Sequence, residues 1–432
     1  MNNLIWFRND LRTQDNQSLF KAVKNATKTI GVYCLDPRQF EVNKHGFKKT
    51  EKFRAKFLLE TIRNLKNNLE LLNIPLCVFL DTPENALPKL AQEHQINAIF
   101  LQKEWTPDEE KVKHNLQNLS EMRDVKWVET YDQFLFHPDD IPYPDFSKIP
   151  EVFTDFRKRC EQTCKIRASV AVAAQPKENF FATSNVLPSL EDLGLESFKR
   201  DKNSAFPFHG GETSALKRIE EYFFETENLS KYKKTRNGLI GESYSSKLSA
   251  WLANGSVSAR TIYWAVQKYE QDVCKNEDTY WLVFELIWRD YFKYVSLKHG
   301  DKIFKLDGIL GNQYEWKVSD KAFREWTNGN TREPFINANM IELQRTGFMS
   351  NRGRQNVASY WAKEWEQDWR IAAKYFESML IDYDVHSNYG NWMYNAGVGN
   401  DPRDRKFNIK RQAEMYDAKG KYQKLWLNPD LY

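Results

Sequence analysis

Four short segments carry the residues best placed to do chemistry. Ser245-Ser246-Lys247-Leu248-Ser249 follows a glycine-containing loop. Clustered hydroxyls and backbone N–H groups near a helix start suit a phosphate, and serine capping of that helix is the simpler reading. In Glu285-Leu286-Ile287-Trp288-Arg289-Asp290-Tyr291-Phe292, Glu285 and Arg289 stand four apart and share a helical face. A surface ion pair would account for them, yet Trp288 and Phe292 beside that face imply a partly buried pocket wall. The other two segments are Ser350-Asn351-Arg352-Gly353-Arg354-Gln355 and the run from Asp382 to Tyr394, with Asp384, His386, Asn388 and Trp392 inside it. Two carboxylates, two amides and several aromatics in so short a loop exceed what a core needs. They suit a planar heteroaromatic ring with an attached polar chain. A metal competes for Asp382, Asp384 and His386, but the arginine-rich partner segment opposes a cation, so no metal is expected.

The elements that must position these segments fall into two groups. Up to about residue 130, short apolar runs alternate with helical patterns. Leu4 to Phe7, Thr29 to Leu35, Leu76 to Leu80, Ala98 to Leu101 and Val125 to Val128 read as five strands. Helices over Thr50 to Leu72 and Pro83 to His94 fit between them, which predicts a parallel sheet covered on both faces. Ligands of such sheets sit beyond the strand C-termini, but no G-x-G-x-x-G follows any strand, so an ordinary dinucleotide site is not supported. Four prolines between Pro138 and Pro150 break the pattern, one helix fits Val152 to Thr163, and the rest of 131–195 reads as a connection over the surface. After Gly210 the signal is helical: Thr213 to Phe224, Ala259 to Tyr269, Thr279 to Lys298 and Gln355 to Met379. The expected architecture is therefore an α/β N-terminal domain with a Rossmann-like five-stranded parallel sheet (1–130), a linker (131–195) and an all-α C-terminal domain (196–432).

Composition excludes several classes. The 432 residues are too many for one ordinary core. A net charge of +4 does not by itself imply nucleic acid, although residues 403–424 carry eight Lys/Arg against three Asp/Glu. Only Cys160 and Cys164 lie close together among five cysteines, which suits a reducing compartment better than a metal site. With no signal peptide and no run of membrane-spanning length, a cytoplasmic location is expected. Aromatic residues make up 14% of the chain, and core packing explains most of them.

Residues 210–432 resemble the FAD-binding domain of the photolyase/cryptochrome superfamily, and are most similar to cryptochrome DASH. The resemblance rests on Tyr232 to Leu239, Glu285 to Phe292, Asn351 to Gln355, Asp382-Tyr383-Asp384 and Ala396 to Arg403. Trp6 to Arg12, followed by Asp15-Asn16, resembles the start of the same family's antenna domain. The resemblance implies FAD, with Tyr232, Ser245, Ser246, Lys247, Leu248 and Ser249 at its phosphates and ribityl chain. Arg289 falls at a flavin contact, and Arg354 with Asp382 matches a charge pair near the ring. Asp384 matches a residue bonding the ring's polar edge, and Asn388 one facing flavin N5. Trp392, Trp369 and Trp316 match the family's electron-transfer tryptophans from the flavin outward. Because Trp361, Trp365 and Trp369 recur every four residues, that stripe reads first as packing on one helix.

The resemblance also implies a reaction. Photoexcited reduced FAD passes an electron to a cyclobutane pyrimidine dimer flipped into a pocket, the ring splits, and the electron returns. Glu285, Trp288, Asn351, Gln355 and Tyr394 match the lining of that pocket, with Glu285 bonding the lesion. Gln355 and Tyr394 follow the DASH pattern, where duplex-active enzymes carry Met and Trp. Polar walls stack less strongly on the dimer, so single-stranded DNA is the expected partner. Arg236, Arg352, Arg405 and Lys406 are candidates for phosphate contacts. Glu104 matches the contact of a methenyltetrahydrofolate antenna, against the simpler reading of a surface carboxylate at a strand end. A monomer is expected. The rival readings are a blue-light signalling photoreceptor and a flavin-free nucleic-acid binder. Signalling cryptochromes carry a long tail after the core, and this chain stops at Tyr432, which favours the enzyme.

Overall fold

The computed structural model describes residues 1–179, 186–401 and 403–428. Pro402 of the Ala396–Arg403 motif, part of the expected linker and the chain end lie outside the described residues.

The N-terminal apolar runs form five strands: β1 (Asn2–Trp6), β2 (Lys28–Cys34), β3 (Leu76–Phe79), β4 (Ala98–Gln102) and β5 (Lys126–Thr130). All pair in parallel, in the order β3-β2-β1-β4-β5. The strand order reverses between β1 and β4. Alternation along β1 sends Leu4 and Trp6 into one hydrophobic cluster, and Ile5 and then Phe7 into another on the opposite face. The strands lie between helices including Lys52–Glu70 and Pro83–Glu93, so the sheet is covered on both faces as expected.

Residues 131–164 depart from the expected surface connection. Phe134, Leu135, Phe136, Ile149, Phe153, Phe156 and Cys160 are buried and belong to a core cluster of the helical domain. Their anchor is Asp290, whose carboxylate accepts the Leu135 and Phe136 backbone N–H groups at 2.9 and 2.7 Å. The prolines break secondary structure here without taking the segment out of the core.

The helical domain is organised around Glu277–His299, which is capped by a reciprocal Asn276/Thr279 box. The helix expected over Gln355 to Met379 is in fact two. The first, Asn351–Ser359, widens into a π turn at Tyr360–Glu364, where the Trp365 N–H reaches the Tyr360 carbonyl at 3.0 Å. The chain then breaks: Glu366 takes φ +56°, and Asp368 caps a new helix, Trp369–Met379. Lys317 pairs with this break through the Glu366 and Asp368 backbones at 2.7 and 2.9 Å. Trp361 and Trp365 therefore do not share a helix with Trp369, and the four-residue stripe was a coincidence of spacing. The segment from Asp382 is likewise not all loop, because Asp384 caps the helix Val385–Ala396 through the Ser387 N–H at 2.8 Å.

A buried ring of charge joins the two domains. Asp132 receives Arg12 at 2.7 Å and Arg260 at 2.6 Å, and Arg260 reaches Asp15 at 2.9 Å. Ser258 adds a hydroxyl to Asp15 at 2.5 Å.

Candidate functional site

One cleft gathers most of the ring-binding and pocket-lining candidates. Asn351, Arg354, Gln355, Asp382, Asp384, Asn388 and Trp392 line a common space of ≈ 530 Å³, counting volume open to solvent. Five of them come from two helices whose starts are fixed locally. Ser350 caps the helix bearing Asn351, Arg354 and Gln355, and Asp384 caps the one bearing Asn388 and Trp392. Arg354 Nη2 lies 2.9 Å from both Asp382 oxygens, while its Nε donates to the Met349 carbonyl at 2.9 Å. Asn388 Nδ2 donates to the Ala373 carbonyl at 3.0 Å, which fixes the plane of the amide.

Asp384 has a partner that the sequence reading did not name. Lys293, buried on the central helix, donates to Asp384 Oδ2 at 2.9 Å. Burial alone would raise this carboxyl, but the Lys293 and Arg289 charges outweigh it and hold it well below the ordinary range. The signal was available in outline: Lys293 follows Arg289 by four residues, on the same helical face.

The serine segment does not cap the helix that follows it. Leu248 stands at the N-cap of Ser249–Ala253, and no side chain caps the end. Ser246 and Lys247 are buried. Lys247 takes φ +63°, and its ammonium sits 3.1 Å from the Tyr244 ring centroid with no hydrogen-bond partner among the described residues. Burial pushes that ammonium well below the usual lysine range. A buried cation lacking an acceptor, beside uncommitted hydroxyls, is chemistry that a diphosphate would complete. The residues therefore have chemistry compatible with the phosphate end of FAD, and the Arg354–Asp382 pair and Asp384 have chemistry compatible with its ring and the ring's polar edge respectively. Tyr232 is buried at the start of Tyr232–Thr235.

At the other candidate wall, Glu285 and Arg289 do not pair. Glu285 is in contact with Arg236. Arg289 instead donates to the Gln133 and Leu252 carbonyls at 2.5 and 3.1 Å, joining the helical domain to the connecting segment. Trp288 stacks on Phe153 at 3.6 Å and meets Tyr394 edge-on at 6.3 Å, so the partly buried wall is present. Arg352 donates to Gln355 Oε1 at 2.8 Å and lies 4.5 Å over the Tyr416 ring. Arg405 and Lys406 lie outside the cleft lining, paired with Asp401 and Glu364.

The three tryptophans come from separate segments of the chain, and no direct ring contact joins any two of them among the described residues. Trp392 and Trp369 are buried, and Trp316 is half-buried. The pairing of Lys317 with the break at 366–368 brings Trp316 to the start of the helix that Trp369 opens. Trp369 donates to the Leu306 carbonyl at 3.0 Å.

Glu104 is not a surface carboxylate. It is buried beyond β4 and accepts from Gln102 at 2.8 Å, and burial pushes its carboxyl up to about 6.

Comparison with known proteins agrees with this architecture. Residues 3–177 match the DNA photolyase family, and residues 281–431 match the FAD binding domain of DNA photolyase. The cryptochrome DASH of Gloeobacter violaceus is 46% identical over 99% of this chain and 85% of its own length. The cryptochrome DASH of Xenopus laevis is 44% identical over 98% of this chain and 82% of its own. Among solved structures, the Synechocystis sp. PCC6803 cryptochrome superposes with a TM-score of 0.94 at 41% identity, covering 100% of this chain and 89% of that one. The chain belongs to the photolyase/cryptochrome family, and within it to the cryptochrome DASH group. Among the described residues no helix is long and apolar enough to cross a membrane.

Proposed function

We propose that this is a blue-light-driven flavoprotein that splits cyclobutane pyrimidine dimers in DNA, with single-stranded DNA preferred. The observation that carries this reading is the shared cleft, where Asn351, Gln355 and Trp392 line the same space as the Arg354–Asp382 pair and Asn388. Reduced FAD, once bound there, supplies the photochemical electron. The chain's own residues do the rest. Lys247 and the serines at 245, 246 and 249 would hold the diphosphate, with Tyr232, Leu248 and Arg289 completing the cofactor site. Asn388 would present a neutral amide to flavin N5 and tolerate a proton there. Trp392 and Trp369, ending at Trp316, would refill the cofactor from the surface.

On the substrate side, Glu285 would exchange its contact with Arg236 for a hydrogen bond to the lesion, releasing Arg236 for a phosphate. Trp288 already stacks on Phe153 and meets Tyr394 edge-on, so an aromatic wall is in place. Gln355 is held by Arg352, so this wall offers an amide where stronger stacking would be needed to compensate base extrusion from a duplex. Arg405 and Lys406 would contribute longer-range phosphate attraction. Glu104, buried at the domain boundary, would contact a methenyltetrahydrofolate antenna. A cytoplasmic monomer with domains at 1–130 and 196–432, joined by residues 131–195 of which 131–164 packs into the helical core, completes the reading.

The test is light-dependent repair of dimer-containing oligonucleotides, single-stranded and duplex in parallel, with dark controls. Light-dependent loss of dimers, faster in the single strand, is the expected result. No loss in either would remove the lyase reading, and equal rates would remove the strand preference.

A further inference from the structure

The helical domain holds a second run of indoles leading away from Trp392. The Trp326 ring lies 6.3 Å from Trp392, centroid to centroid and edge-on at 69°. Trp361 follows at 5.1 Å from Trp326, and Trp365 at 6.4 Å from Trp361. Trp326 and Trp361 are fully buried, whereas Trp365 is half-buried at the π turn and reaches the surface. Each indole thus abuts the next without an intervening side chain. The ring contacts of Trp369 and Trp316 run elsewhere, to Tyr389 at 6.1 Å and Tyr314 at 5.6 Å.

We propose that Trp326, Trp361 and Trp365 form a second electron path from Trp392 to the surface, parallel to the one through Trp369 and Trp316. The inference rests on the reading that FAD in the cleft is photoreduced through Trp392.

The hydrogen bonding along the run favours outward movement of the positive charge. The Trp326 Nε1–H is buried without an acceptor among the described residues, so an oxidised Trp326 has nowhere to release its proton and stays a cation. Trp361 donates Nε1–H to the Asp368 carbonyl at 3.0 Å, and an amide oxygen is too weak a base to keep that proton. The charge therefore passes to Trp365, the first indole in the run that meets water. Each hop moves one electron inward and one positive charge outward. At Trp365 the charge is removed by one electron from a dissolved thiolate, and two of the resulting thiyl radicals couple to a disulfide. Aromatic packing alone would explain the same rings, but it predicts no kinetic role for the half-exposed Trp365.

The experiment follows loss of the oxidised flavin's visible absorbance under blue light, in FAD-loaded protein with dithiothreitol and no DNA. Four variants are compared with wild type: W316F, W365F, W316F/W365F and W392F. Two parallel paths predict that each single surface variant slows photoreduction by roughly twofold or less, while the double variant slows it about tenfold or more, approaching W392F. A double variant no slower than W316F alone overturns the proposal, as does W316F alone matching W392F. Trp316 and Trp365 are both half-buried, so Phe is tolerated there, and FAD content with thermal unfolding checks this directly. Interrupting the buried stage with W326F in the W316F background must reproduce the double variant. If W326F loses FAD, the W365F comparison decides. A wild-type protein that binds FAD but is not photoreduced overturns both this path and the proposed use of Trp392. Normal photoreduction without dimer repair overturns only the proposed lyase activity.

Discussion

Two buried charge clusters in this molecule have opposite characters. At the domain boundary, Asp15, Asp132, Arg12 and Arg260 form a ring in which the carboxylates are matched by guanidinium groups, with Ser258 and backbone groups taking remaining bonds. In the helical domain, Lys247 and Glu342 are equally buried but incompletely partnered. Among the described residues, Lys247 Nζ and Glu342 Oε1 have no hydrogen bond, and only the Tyr422 hydroxyl reaches the other Glu342 oxygen, at 2.5 Å. A matched ring of charge specifies how two bodies dock. An unmatched one costs stability in the free protein and is retained where a ligand supplies the missing partner.

That contrast can be broken by experiment. The largest effect is expected from Asp132→Ala, which strands two buried guanidinium groups and should cost about 3–5 kcal/mol. Urea unfolding measures it, and a loss below about 1 kcal/mol would mean that the ring is not what holds the domains together. Glu342→Gln should act through pH. Burial pushes Glu342 up to about 7, above its ordinary 4.5, so the folded state binds this proton more tightly than the unfolded one. The stabilisation is complete below about pH 4.5 and is lost as pH rises through about 7. Removing the titration should make the variant more stable than wild type by about 1–3 kcal/mol at alkaline pH, with little difference at acid pH. Equal pH profiles for the two proteins in urea unfolding would contradict it.

Lys247→Met sharpens the contrast because its two readouts move in opposite directions. The cofactor-free protein should melt at the same or a higher temperature, gaining up to about 1–2 kcal/mol, while its affinity for FAD falls about tenfold or more. A destabilised apo-protein with unchanged FAD affinity, by calorimetry and fluorescence titration, would place Lys247 with the structural charges. The smallest effect is expected beside the cleft, where Arg352 bonds the lining residue Gln355. Arg352→Gln should weaken binding to single strands uniformly across sequences and lower the salt slope by about 1. A sequence-dependent loss in a salt titration would indicate base contact instead.

Local patterns were legible in the chain. Alternating apolar runs with helices between them gave five parallel strands, since a doubly covered sheet needs continuous apolar strands whatever the rest of the molecule does. Polar residues crowded at 351–355 and 382–394 marked the cleft because a core would not hold them without a ligand or a partner. What the sequence could not decide was pairing across distance. Glu285 and Arg289 have ideal helical spacing, but Glu285 meets Arg236, and Arg289 joins two backbone carbonyls from other segments. Trp361, Trp365 and Trp369 have equally good spacing, but a π turn and an Asp368 cap put a corner between them. The corner follows from the pairing of Lys317 with residues 366–368, about fifty positions away along the chain. The sequence by itself determined which residues carry charge, hydroxyls and indoles, and the period in which they repeat. Only the tertiary structure decided which of them meet, because a contact between remote segments is set by how whole helices pack and not by the propensity of either segment alone.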